Sequence, residues 1–221
     1  MKRYEIKLTG VAPLIMHSDN IEWAGHLARW REDPSNKALS VAGDDRSPAF
    51  SWLGSMYHDD AVVAIPADNL MRCFMEGGTQ VIVPGGRSGK TFKSQTQSGM
   101  LVVDEFWPLF VDGKTIDVKP LLKLSGVKDF DTHLKAANNS GFSLFIKRAK
   151  IGKSKHVRVR PRFERWSSNG VLQVWDEQLT LPILRKIVQI SGMYKGLCDW
   201  RPSSSTPGPF GRFEADLNEI A

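Results

Sequence analysis

The residues best suited to do chemistry lie in one run. Between Lys147 and Arg165 the chain carries nine Lys or Arg residues and one acid, Glu164, a local charge of +8. The whole chain of 221 residues has a formal charge of +6, so everything outside this run sums to −2. Basic character confined to one segment marks a surface for a polyanion, because charge kept for solubility is interspersed in sign. In HVRVRPRF, Arg158, Arg160 and Arg162 recur at every second residue. That spacing puts them on one face of a strand, with Val157, Val159 and Phe163 on the other. The three arginines then stand about 6 to 7 Å apart, close to the spacing of successive phosphates. Guanidinium pairs bidentately with phosphate, so the row can track a nucleic-acid backbone without reading its sequence. Lys147, Arg148, Lys150, Lys153 and Lys155 extend the field onto the preceding strand and the tip, and His156 and Arg165 complete the run. The competing reading is an edge strand whose charges only guard against aggregation.

A second phosphate signal is PGGRSGKT at 84–91, which approaches the GxxxxGK[ST] cradle, with LVVDE at 101–105 imitating an acidic magnesium-binding strand. Pro84 stands where the first Gly is required and removes a backbone donor. FKSQTQSG makes a poor amphipathic helix, and LVVDE starts only eleven residues after Lys90, too soon for a helical crossover. Residues 84–99 therefore read as a mobile loop offering Arg87, Lys90 and Lys93 to phosphates. None of the five histidines has a partner at metal-ligand spacing, so neither a metal nor a cofactor is expected. His156 among its arginines is the one candidate general acid or base, and no partner group accompanies it. Seven tryptophans offer stacking surfaces for unpaired bases. Trp200 stands out, in DWRPSSSTPGPFGRF with Arg201 and Arg212.

The elements that must position these residues follow from periodicity. Residues 2–9 alternate Tyr4, Ile6 and Leu8 against Arg3, Glu5, Lys7 and Thr9, a half-buried strand. Ser18 or Asp19 caps a helix with Ile21, Ala24, Leu27 and Ala28 on one face, and the polar stretch 33–48 reads as an exposed excursion. Residues 61–65 lead through Pro66 into a helix with Leu70, Met71 and Phe74 inward, ended by Gly77 and Gly78. Strands are expected at 79–83, 101–110 and 116–122, the last two around an Asp112-Gly113 turn, and a short helix at 131–138. Residues 142–151 and 155–163 form a β-hairpin to which 171–179 adds a strand. Thr180 then caps a helix carrying Ile183, Leu184, Ile187, Val188 and Ile190, and a last strand has Phe213, Ala215 and Leu217 inward. Stripped of insertions the order is strand, helix, strand, strand, helix, strand, the ferredoxin-like arrangement shared by RNA-binding modules of the RRM type. The expected class is α+β: one domain over 1–221, an antiparallel sheet with insertions at about 18–60 and 84–141, and a basic β-hairpin.

Three segments resemble a known family. AIPADNLMRCF at 64–74 is similar to the strand-to-helix entry of the RAMP superfamily, the ferredoxin-like backbone proteins of CRISPR effector complexes. GPFGRFEADL at 208–217 resembles that family's C-terminal glycine-rich loop and last strand, and LTGVAPLIMH at 8–17 its first strand and exit. The whole chain also resembles uncharacterised phage and prophage proteins. The resemblance implies a nucleic-acid role and side-by-side assembly along a strand. The expected function is non-catalytic binding of single-stranded DNA or RNA in the cytoplasm of a bacterial host, with no membrane partner. Two other classes stay open: a P-loop-like nucleotide-dependent enzyme or RNA endonuclease, and a structural or host-interaction protein whose basic strand meets an acidic protein. Two distant cysteines, Cys73 and Cys198, suggest no disulfide scaffold.

Overall fold

The computed structural model describes residues 1–85, 89–151 and 154–220. In chain order the elements are β1 (Lys2–Gly10), β2 (Leu14–Ile15), α1 (Ile21–Glu32), β3 (Ala64–Pro66), α2 (Ala67–Gly78), α3 (Lys93–Ser98), β4 (Met100–Val102) and β5 (Phe106–Val111). They continue with β6 (Lys114–Thr115), α4 (Lys119–Leu122), α5 (Phe130–Asn139), β7 (Ser143–Ile151), β8 (Ser154–Phe163), β9 (Trp166–Val174), α6 (Leu181–Ile190) and β10 (Phe213–Ile220). The chain is thus α+β, and the pairs β1–β10, β1–β9, β3–β5, β4–β9, β5–β6, β5–β9 and β7–β8 are antiparallel. It divides into two compact units: 1–14, 64–115 and 164–221 form the first, 15–63 and 116–163 the second. The expected insertion at 18–60 falls inside the second unit, and that at 84–141 is shared between the two.

The first unit is built on a sheet in the order β10-β1-β9-β5-β3, with β4 on β9 and β6 on β5. Tyr4, Ile6 and Leu8 are fully buried, while Arg3, Glu5, Lys7 and Thr9 are exposed, as period-2 alternation requires. Register places Leu172 opposite Tyr4 and Leu217 opposite Ile6, so one apolar face runs across the sheet. Asp112 and Gly113 both have positive φ (49° and 78°), the backbone of a tight two-residue hairpin, and they join β5 to β6.

The end of α2 is as expected, with Gly77 and Gly78 its last two residues, and both lie buried. A Cβ on Gly77 would stand 2.0 Å from Ser191 Oγ and 2.8 Å from Ile187 O, so the missing side chain is what lets α2 approach the end of α6. Several other sequence expectations need correction. Residues 79–83 make only an isolated bridge, Ile82 to Thr91, and 93–98 is the helix α3 rather than loop. Residues 119–122 are helical, because Pro120 in the first turn favours a helix start there. The strand over 166–174 pairs with β1, β4 and β5 and does not join the hairpin.

In the second unit α1 is capped by Asn20, whose side chain accepts from the N–H groups of Glu22 and Trp23. Its inward side is not the expected one. Ile21 is 85% exposed, whereas the half-buried Trp23 and Trp30 pack on Phe50 at 6.0 and 6.4 Å. The sheet of this unit runs β2-β8-β7, so β8 is central and β7 the outer strand.

Candidate nucleic-acid interface

The hairpin forms as its sequence requires. Pairing runs from Ser143 with Arg162 to Ile151 with Ser154, and directly paired residues share a face. One face carries Phe145, Lys147, His156, Arg158, Arg160 and Arg162. The other carries Leu144, Val159, Pro161 and Phe163, all buried, and further out Arg148, Lys150 and Lys155, all exposed. The basic run is therefore distributed over both faces rather than forming one row. Lys153 lies outside the described residues, and Arg165 belongs to the first unit, where it pairs with Asp112 at 2.8 Å.

The arginine face is also less open than alternation alone suggests. Residues 43–45 lie along β8 on the side away from β7: Val157 N–H donates to Gly43 O at 2.7 Å and Asp45 N–H to Val157 O at 2.9 Å. The Asp45 carboxylate accepts from Arg158 Nη1 at 3.1 Å and from Arg160 Nη1 at 3.0 Å. His17 Nε2 lies 3.1 Å from Arg160 Nη2, and Arg160 is buried. Arg162 sits over the Phe145 ring, 5.7 Å from its centre. Beside this cluster Arg46 holds Asp44 in a fork with contacts down to 2.6 Å, which keeps the Asp44 carboxyl below the usual carboxylate range. Sequence reasoning missed Asp45 and Asp44, which stand in the stretch 33–48 that reads as a solvated excursion.

Among the described residues, Arg148, Lys150 and Lys155 make no ion pair. They are the cations of the hairpin most available to a phosphate, and they lie toward its tip.

The remaining candidates lie in the first unit. Arg87 is outside the described residues; Lys90 and Lys93 are exposed. Val83 N–H donates to Lys90 O and Phe92 N–H to Val81 O, so 81–83 and 90–92 lie side by side. A phosphate cradle needs a strand running into a helix N-terminus, and the following helix, α3, has only six residues. Trp200 is half-buried with φ 47°, tilted against Phe210 at 5.4 Å. Gly208 lies directly against it, since a Cβ there would stand 2.1 Å from Trp200 O. Arg201 pairs with Glu76 at 3.1 Å, and Arg212 is exposed. The glycine-rich loop is pinned by Gly211 N–H to Pro13 O and Leu197 N–H to Gly211 O, at 2.8 and 2.9 Å. It is a rigid connection.

Opposite the apolar face of the first unit, the central strands present Arg3, Glu5, Lys7 and Thr9 from β1 and Ser167, Asn169, Val171 and Gln173 from β9. No aromatic ring stands on that part of the sheet, the place where an RRM-type module stacks bases. Among the described residues no group of three His, Cys, Asp or Glu side chains is placed to hold a metal ion. Among the described residues, no helix is long and apolar enough to cross a membrane. Burial pushes the Cys73 thiol well above its ordinary pKa, so it is not a nucleophile. A scan against protein-family models finds no match, and no curated protein matches the chain.

Proposed function

We propose that this chain binds single-stranded nucleic acid through the phosphate backbone, using the β7–β8 hairpin as its contact surface. The observation that carries the reading is the hairpin tip, where Arg148, Lys150 and Lys155 are exposed and make no ion pair among the described residues. Exposed cations without an acidic partner attract phosphates, whose counterions are released on binding. Phe145, half-buried among the cations of the other face, adds an aromatic ring near the path of the strand. Stacking partners of this kind serve only unpaired bases.

The scaffold reading is a ferredoxin-like first unit. Taking β1, β5, β9 and β10 as its four strands gives a spatial order of fourth, first, third, second, with α2 following β1 and α6 following β9. That order supports the RAMP resemblance of 64–74 and 208–217, whose residues fall on β3 with α2 and on the pinned loop with β10. The absence of rings on the open face of β1 and β9 favours backbone contact at the hairpin over RRM-type base stacking on the sheet. The proposal assigns the protein no reaction. Assembly along the strand follows from the resemblance.

The test compares affinities for a single-stranded homopolymer, a duplex of equal charge, and polyglutamate. The single strand binds tightest, and its affinity falls as salt rises. Tighter binding of polyglutamate would favour a surface for acidic proteins, and equal binding of all three would leave only a generic basic surface.

A further inference from the structure

The Asp45 carboxylate sits where a bound phosphate would be expected. One oxygen accepts from Arg158 and the other from Arg160, at 3.1 and 3.0 Å, so a single carboxylate bridges guanidinium groups two residues apart on β8. Carboxylate and phosphate engage the guanidinium fork in the same way. This is not a chance pairing of long surface side chains. The backbone of 43–45 is held to Val157 by two hydrogen bonds, and the Ser51 hydroxyl donates to Asp45 O. The side chains are largely shielded, 35% exposed for Arg158, 11% for Arg160 and 15% for Asp45. The main chain thus delivers a negative charge to the middle of the most basic segment of the protein.

We infer that Asp45 determines which anions the hairpin holds: its carboxylate withholds Arg158 and Arg160 from any ligand that cannot supply successive phosphates to replace it. The inference rests on the binding reading above. A carboxylate tethered to the same sheet competes at high effective concentration, so an isolated anion rarely displaces it. A strand already held at the hairpin tip presents its next phosphates at comparable effective concentration, past exposed Lys147 on the outer strand. Rotation of the Asp45 side chain frees Arg158 and uncovers the Nη1 group of Arg160, which keeps Val159 O and His17 as partners, and leaves the backbone bridges to Val157 in place.

The experiment measures the affinity of a single-stranded homopolymer at several salt concentrations for the native protein and for Asp45→Asn, with circular dichroism and a thermal melt to establish folding. The variant should bind about tenfold more tightly, the scale of one charge-assisted hydrogen bond. Its salt slope for the strand should change little, because the strand engages the same arginines in both proteins, whereas the gain for a lone anion, measured with inorganic phosphate, should exceed the gain for the strand. Should Asp45→Asn not fold, the same comparison is made in an Arg160→Gln background, where no buried guanidinium loses its counter-charge and Arg158 alone is released. Equal or weaker binding by a folded variant, beside a native protein that binds, overturns the inference and leaves the binding reading standing. A native protein that does not bind the strand rejects both.

Discussion

His133 is fully buried between two partners of opposite demand. The Trp52 indole N–H donates to its Nδ1 at 3.1 Å, and its Nε2 lies 3.0 Å from Val127 O, so the neutral ring with the proton on Nε2 satisfies both. Burial pushes its pKa below the ordinary imidazole value of about 6.5. The folded protein then binds fewer protons than the unfolded chain in mild acid. Its contribution to stability is complete above about pH 6.5 and is lost as pH falls toward the folded pKa. Denaturant midpoints measured from pH 8 to pH 5 should decline, and His133→Asn should be less stable at pH 8 yet show a shallower decline. A variant that keeps the native pH dependence would place the titrating group elsewhere. The same scale shows where sequence reading stops. HVRVRPRF makes the shared face of Arg158, Arg160 and Arg162 legible, because alternation is local. That Asp45 neutralises two of them depends on a contact across 113 and 115 residues, which no local pattern records.

At the scale of elements, strands with strict alternation are the legible ones: β1, β7, β8 and β10 lie where their residues predict. Helix faces and ends are less so. In α1 the inward side is set by Trp23 and Trp30 meeting Phe50, although Ile21 and Ala24 offer an equally regular apolar stripe. In α2 the paired glycines mark the helix end as expected, but the neighbour they admit is not legible from the sequence. Gly77→Ala should cost about 1 to 3 kcal/mol by forcing α2 away from Ser191 and Ile187. Gly126→Ala, where a Cβ meets open space, should change the melting temperature little. Equal melting temperatures for the two variants would contradict the close approach. The P-loop-like motif at 84–91, against which Pro84 already speaks, is flanked by the bridge of Ile82 with Thr91 and followed by a helix of only six residues.

For the whole molecule, the α+β class could be read from the chain, while its division into two compact units could not. Each unit is assembled from separated segments, and the expected insertions at 18–60 and 84–141 do not follow the boundaries between them. The division places the hairpin in one unit and Lys90, Lys93, Trp200, Arg201 and Arg212 in the other. The account therefore rests on the hairpin alone. If the chain assembles along a strand, mass measurement on oligonucleotides of increasing length should show stepwise addition of copies; a single copy on long strands would remove the assembly. The most direct test is the salt dependence of single-strand affinity in the native protein and in a variant carrying Arg148→Gln, Lys150→Gln and Lys155→Gln. These side chains are exposed and make no ion pair among the described residues, so the variant should melt like the native protein. Its slope of log affinity against log salt should be shallower by about 2, three phosphate contacts at roughly 0.7 each. An unchanged slope in the folded variant would contradict the hairpin as the binding surface.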